Sequence, residues 1–315
     1  MASSFDVAGT GFTVLDRLYS GSDKMSEALG GSCGNVLVSL AMLSRTVAPV
    51  LALGRDEVGD QLVETFETAG ADTRFIARRE EIASPILAQQ LDLISGQHWF
   101  SFVCPETDER LPRFTSIGTE EVELAFDVLN GCSVFYADRL SEAIVDAMEA
   151  ASTAGALVYF EPSAVDDDAL FARALKLTRI LKYSSDRLEN LVTASEMRAD
   201  AIAIVTHGAD GLEVRQRGIS AWCKAIQAPR VRDTCGSGDM VTVGVIDWIL
   251  ETMPSLNYWT PQTLMGGVLA GQRLAAANCA FAGARGFFER HDRSLVRSVL
   301  AGTTAPVDLQ MDLFD

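Results

Sequence analysis

Histidine, paired cysteine and positive charge are what this 315-residue chain has least of. Its three histidines, His98, His207 and His291, stand far apart, so a histidine metal cluster is not indicated and each is expected to be structural. Six cysteines, at 33, 104, 132, 223, 235 and 279, form no Cys-x-x-Cys pair, which argues against a zinc site or a dithiol redox motif. Lys and Arg number 26 against 43 Asp and Glu, a formal net charge of −17. Such a surface repels nucleic acid and anionic membranes, so neither is expected as a partner. No apolar run reaches the roughly 18 residues a membrane span needs. The first residues, Met-Ala-Ser-Ser-Phe-Asp, carry no basic or apolar leader. A cytoplasmic protein with reduced thiols is the expectation.

Three nucleotide motifs are also missing. There is no Gly-x-x-x-x-Gly-Lys-Ser/Thr, no His-Arg-Asp and no Asp-Phe-Gly, so P-loop and protein-kinase machinery are both excluded. A nicotinamide dehydrogenase would suit an α/β pattern, but Gly9-Thr10-Gly11 is followed by Leu15-Asp16-Arg17, without the further glycine that turn requires.

What is present is a chain 48% hydrophobic, enough for one large α/β domain. Phe5 to Leu15 reads as a first strand, with Asp16 a lone carboxylate at its end, and Val47 to Leu53 as a buried one. Pro85 to Leu93 and His98 to Val103 read as a hairpin about Ser95-Gly96, polar enough to be a lid or an edge hairpin. Helix Glu120–Leu129 then opens an alternation. Strands at Ser133–Ala137, Leu157–Glu161, Arg179–Tyr183 and Ala201–Val205 are separated by helices at Glu142–Ala151, Asp168–Leu177 and Asp186–Ala194. That order implies a parallel sheet with helices on its faces. Ligands collect beyond the carboxyl ends of such strands, where Asp16, Asp138, Glu161, Ser184 and Thr206-His207-Gly208 are expected. A long helix runs from Pro261 to about Phe281, with Thr260 as its cap.

Two glycine turns carry the chemistry. Asp233-Thr234-Cys235-Gly236-Ser237-Gly238-Asp239 opens the apolar helix Met240 to Leu250. Converging N–H groups and a helix N-terminus make an anion site there. Asp239 puts a carboxylate beside that anion, which repels it. The pairing makes sense where the carboxylate takes the proton of a hydroxyl attacking a phosphate, although an acid in a first helical turn is also ordinary capping. The helix dipole is expected to keep Asp239 ionised near neutral pH. The second turn, Gly30-Gly31-Ser32-Cys33-Gly34-Asn35, leads into an apolar helix; Asn35 brings a donor and an acceptor suited to a hydroxyl, and an ordinary helix start remains open.

In this order the two turns resemble the signatures of the PfkB carbohydrate kinase family, with Ser237 where alanine is usual. Gly54-Arg55-Asp56-Glu57-Val58-Gly59-Asp60 and Val205-Thr206-His207-Gly208-Ala209-Asp210-Gly211 resemble two further family elements, so the likeness runs from about residue 5 to 290. The resemblance implies a three-layer αβα ribokinase-like fold with a mostly parallel central sheet. It implies a single domain, 1–315, with a small β lid from parts of about 12–30 and 85–115 that can mediate a homodimer. It implies transfer of the γ-phosphate of ATP to a primary hydroxyl of a sugar or sugar-like substrate. A nucleoside kinase of the same fold and a catalytically weak sugar- or nucleotide-binding regulator are the alternatives.

By the same resemblance Asp239 is the base, and the backbone of Gly236, Ser237 and Gly238 is the anion hole. Asp16, Gly30, Gly31 and Asn35 hold the acceptor. Lys182, Ser184, Thr206, Gly208 and Asn278 lie on the nucleotide side. Mg2+ arrives with ATP rather than on protein ligands, and a monovalent cation stays open. Where the family usually shows Asn-x-x-Glu to organise the metal's water shell, this chain reads Ser184-Ser185-Asp186-Arg187, which leaves two alternatives open: Asp186 or Glu189 substitutes, or Arg187 contacts phosphate directly.

Overall fold

The computed structural model describes residues 5–91, 98–192, 196–252 and 259–306. The chain opens with β1 (Phe5–Thr10), β2 (Val14–Ser20), β3 (Asp23–Gly30) and α1 (Ser32–Met42). It continues through β4 (Val47–Pro49), β5 (Leu51–Gly54), α2 (Glu57–Ala69), β6 (Ile76–Arg79), β7 (Ile86–Leu91) and β8 (His98–Ser101). The alternating half comprises α3 (Thr119–Leu124), α4 (Phe126–Leu129), β9 (Cys132–Ala137), α5 (Glu142–Thr153), β10 (Leu157–Phe160), α6 (Asp168–Leu177), β11 (Ile180–Ser184), α7 (Ser185–Leu188) and β12 (Ile202–Thr206). It closes with β13 (Gly211–Gln216), β14 (Ile219–Lys224), α8 (Ser237–Thr252), α9 (Pro261–Asn278), α10 (Gly286–Arg290) and α11 (Arg293–Ala301).

Eight strands form the central sheet in the order β14-β13-β12-β11-β10-β9-β1-β4. Pairings from β4 to β12 are parallel, and β13 and β14 add antiparallel strands at one edge. Strand side chains alternate between two cores. Val134, Tyr136, Tyr159, Ile202 and Ile204 pack with α1, α8 and α9, while Phe135, Ala137, Phe160, Leu181 and Val205 pack with α5 and α6. Both faces are buried, which is why these strands read as continuous apolar runs and why three layers result.

A second sheet, in the order β3-β2-β7-β8, stands apart from the first. Strand β7 pairs parallel to β2 and antiparallel to β8, so the polar hairpin is part of a four-stranded sheet rather than an isolated edge. The turn at Ser95-Gly96 and Gln97 lies outside the described residues. Beyond β8 the chain runs as a loop, tied by a bridge between Val103 and Arg110 and by the Cys104 N–H donating to the Glu109 carbonyl at 2.8 Å.

Four boundaries differ from the sequence reading. The first strand ends at Thr10 because the Phe12 N–H turns to donate to the Asp138 carboxylate at 2.7 Å; the chain then resumes as β2 in the other sheet. Val47 to Leu53 splits after Pro49, which has no N–H for a ladder, and Leu51–Gly54 pairs instead with β6. Glu120–Leu129 divides at Ala125 into two short helices. The helix expected over 186–194 is a single turn, Ser185–Leu188, and residues 193–195 lie outside the described residues.

Candidate active site

The parallel strands deliver polar residues to one edge. Asp138 follows β9, Glu161 follows β10, Ser184 ends β11 and Thr206 ends β12, with Ser184 and Thr206 directly paired in register. Asp16 is different. It lies inside β2, opposite Ala28 and Leu87, so the second sheet and not the first strand presents it. Its carboxylate packs on Gly30, where an added Cβ would fall 1.9 Å from Oδ2. The other oxygen, Oδ1, is buried without a partner.

The two glycine turns meet. Gly31 takes φ 79°, and a Cβ there would lie 2.3 Å from the Phe12 carbonyl oxygen, so α1 begins tight against the β1–β2 connection. Helix α1 then carries Asn35 inward, and its Nδ2 donates to Asp239 Oδ2 at 2.8 Å across 204 positions of sequence. Gly236 takes φ 71° against Ala284, whose carbonyl oxygen would lie 2.5 Å from an added Cβ. The Asp233 carboxylate fixes the turn from both sides, accepting from the Cys235 N–H and the Gly283 N–H, each at 2.8 Å. Ser237 and Gly238 open α8; the Ser237 N–H donates back to the Thr234 carbonyl at 3.2 Å, while the Gly238 N–H belongs to the first helical turn that has no intrahelical partner. Gly238 is exposed, and only Lys182 Nζ, 3.7 Å from a Cβ built there, approaches it.

Below Asp239 lies a polar network. Lys182 is ion-paired with Glu161, whose other oxygen accepts from the Thr242 hydroxyl at 2.5 Å and the Tyr136 hydroxyl at 3.4 Å. Burial pushes Asp239 up to about 7, with Glu161 adding to the rise and Asn35 and Lys182 opposing it. The helix dipole therefore does not keep this carboxylate fully ionised at neutral pH: desolvation and a neighbouring acid outweigh it. Asp16 also rises to about 7 through burial, with the Arg285 guanidinium pulling it down, and burial raises Asp138 to about 6.

On the nucleotide side, Gly208 takes φ 57° with open space around its Cα, beside Thr206. Asn278 differs from a pocket-wall residue. It is fully buried, and its amide is spent on backbone: Nδ2 donates to the carbonyls of Gly283 and Ala284, and Oδ1 accepts from the Phe287 N–H at 3.0 Å. Asp186 and Arg187 are exposed, while Glu189 is bonded to Arg215 at 2.6 Å. Sequence reasoning missed Arg285, which is 5% exposed and donates to the Leu29 carbonyl at 2.7 Å and Asn35 Oδ1 at 2.5 Å. Its only sequence signal is a charge inside the glycine-rich run Gly283-Ala284-Arg285-Gly286. Thr242, one turn into α8, was missed for the same reason. His207 and His291 stack on aromatic rings, against Trp222 at 5.1 Å and between Phe281 and Phe287.

A doubly covered parallel sheet with glycine turns meeting at its carboxyl edge is the ribokinase-like α/β kinase fold. The profile described as "pfkB family carbohydrate kinase" matches residues 20–286, and the chain belongs to that family of enzymes. It is 24% identical over 257 residues to a fructokinase of Vibrio alginolyticus, covering 75% of this chain and 81% of the relative. It is 27% identical over 257 residues to an aminoimidazole riboside kinase of Salmonella typhimurium, covering 73% and 75%. Among solved structures, a fructokinase with bound ATP from Xylella fastidiosa superimposes with TM-score 0.77 at 20% identity, covering 95% of this chain and 99% of that one.

Proposed function

We propose that this carbohydrate kinase moves the γ-phosphate of ATP to a primary hydroxyl of a sugar or sugar-like acceptor, with Asp239 as base. The observation that carries this reading is the 2.8 Å bond between Asn35 and Asp239, which joins the two glycine turns into one site. A carboxylate titrating at about 7 is suited to accept a proton near neutral pH. Asp16 supports the acceptor side, because a buried carboxylate oxygen without a partner is a costly group that a substrate hydroxyl would satisfy. Gly30, Gly31 and Asn35 close that side around it.

The fit to a nucleotide rests on the N-terminus of α8. The Gly238 N–H and the positive end of the helix dipole favour a negative charge there, Lys182 lies beneath, and the Ser237 N–H would have to exchange its 3.2 Å bond to the Thr234 carbonyl for one to the anion. Bound ATP supplies the activated phosphoryl group. Ser184, Thr206 and Gly208 would line its path along the sheet edge, and Asn278 would act through the 283–287 strap it holds rather than by touching the base. Mg2+ would be carried on the nucleotide and would neutralise phosphate charge there. The six cysteines are all free thiols, which suits a reducing compartment such as the cytoplasm.

The four-stranded sheet is the natural lid. Met25, Trp99 and Phe100 are 64%, 51% and 55% exposed on it, and a homodimer through this sheet would cover such groups. The test of the activity is ADP release from ATP over a panel of ketoses, aldoses, keto-sugar acids and ribosides. Acceptor-dependent release that disappears in Asp239→Asn is expected. Release at the wild-type rate by that variant would remove Asp239 as base, and nucleotide binding without turnover on any acceptor would favour a regulator.

A further inference from the structure

We propose that Arg285 is a positioning residue for the transfer: it fixes the Asn35 amide so that Nδ2, not Oδ1, meets Asp239, and it brings a positive charge to that carboxylate. The proposal rests on the reading of Asp239 as base. Arg285 spends one nitrogen on two acceptors, the Leu29 carbonyl at 2.7 Å and Asn35 Oδ1 at 2.5 Å. A guanidinium has only donors, so the Asn35 atom facing it must be the oxygen. The amide then has no choice but to present N–H hydrogens to Asp239 Oδ2, at 2.8 Å. A reversed amide would set donor against donor at one end and oxygen against carboxylate at the other.

The position of Arg285 is built rather than incidental. The preceding residues are held by Asn278, through the Gly283 and Ala284 carbonyls, and by Asp233 through the Gly283 N–H. Ala284 is also the residue packed on Gly236. One strap therefore sets the anion turn and the guanidinium together. The only ion pair of Arg285 among the described residues is a long one to the exposed Glu289 at 3.6 Å, and Asp16 and Asp239 follow Glu289 as the charges it feels. That charge attracts both Asp16 and Asp239.

Asp239 is otherwise faced by groups of both signs. Glu161 after β10 and Asp138 after β9 disfavour its anion, while Lys182 on β11 and Asn35 on α1 favour it. Asp16 on β2 and the thiols of Cys33 and Cys235 complete the surroundings. Removing Arg285 leaves Lys182, already paired with Glu161, as the remaining cation.

The test is the titration of Asp239 in the full-length protein labelled with carboxyl-13C aspartate, its resonance assigned by its loss in Asp239→Asn. In Arg285→Met the midpoint is expected to rise by about half a unit or more, because the carboxylate loses both a fixed amide donor and an attracting charge. In Arg285→Lys, which keeps the charge but not the planar donor geometry, the rise is expected to be smaller but resolved. Should Arg285→Met not fold, the lysine variant decides. A midpoint equal to that of the unsubstituted protein in folded Arg285→Lys overturns the proposal, as does an unmoved midpoint in Arg285→Met. With the acceptor that the panel identifies, the variants should lose kcat/KM below the new midpoint by up to about tenfold per unit of rise, less in Arg285→Lys than in Arg285→Met, and recover above it. An equal deficit at every pH would mean a merely structural role. Wild-type turnover by Asp239→Asn would instead end the base assignment, whatever the Arg285 variants show.

Discussion

Replacing Gly30 by alanine tests the acceptor side with one methyl group. The backbone there is in a conformation that any residue adopts, so no turn strain enters. What the methyl meets is Asp16: Oδ2 would lie 1.9 Å away and Cγ 2.3 Å, where ordinary contact starts at 3.4 Å. The main chain cannot yield easily, because Asp16 and Gly30 sit in the same β2–β3 ladder, and Arg285 grips the neighbouring Leu29 carbonyl. The carboxylate must therefore swing away by about 3.4 − 1.9 = 1.5 Å. A displacement near 1 Å at a substrate-orienting group costs on the order of 100-fold. We expect kcat/KM for the acceptor to fall by roughly that factor while the KM for ATP stays within about twofold. Asp16→Asn should produce a comparable fall, and the double variant should be hardly worse than either single one, because both remove the same interaction. Steady-state kinetics on all four proteins, with thermal unfolding as the control, measures this. Unchanged acceptor kinetics in Gly30→Ala, or losses that simply add in the double variant, would refute the placement of Asp16 against the acceptor.

Asp239→Asn should lower turnover by roughly 10²–10⁴-fold, the usual contribution of a general base, with ATP affinity retained in equilibrium binding. The acid limb of the kcat/KM profile should fall off near pH 7, because Asp239 must be ionised and its carboxyl is raised to about 7. The same raised values act on stability. Asp16 and Asp239 hold protons in the native state that the unfolded chain, near 3.8, releases earlier, so both weaken the fold as pH rises between about 4 and 7. Asp239→Asn should accordingly raise the melting temperature at pH 8 and raise it less at pH 5, a difference that calorimetry at the two pH values resolves. Asn278→Ala should cost roughly 2–4 kcal/mol in denaturant unfolding, since it orphans buried backbone groups of the 283–287 strap.

The sequence by itself carried the layers and the turns. Parallel strands covered on both faces must be apolar throughout, so β9 to β12 and the helices α5 and α6 were legible as runs and periods. The glycine turns were legible too, because positive φ at Gly31 and Gly236 and close backbone packing demand a residue without a side chain. Boundaries failed where a distant group intervened, as when Asp138 ends β1 by capturing the Phe12 N–H. The site's electrostatics were not legible at all. The effect of a helix N-terminus on Asp239 is a local property, but Glu161 and Lys182 reach that carboxylate from other strands, and their sum with burial exists only in the folded chain. Arg285 shows the same limit: 250 positions separate it from Asn35, and nothing local to either predicts their bond. Backbone conformation is written in neighbouring residues, whereas charge and desolvation depend on distances that only the tertiary structure sets.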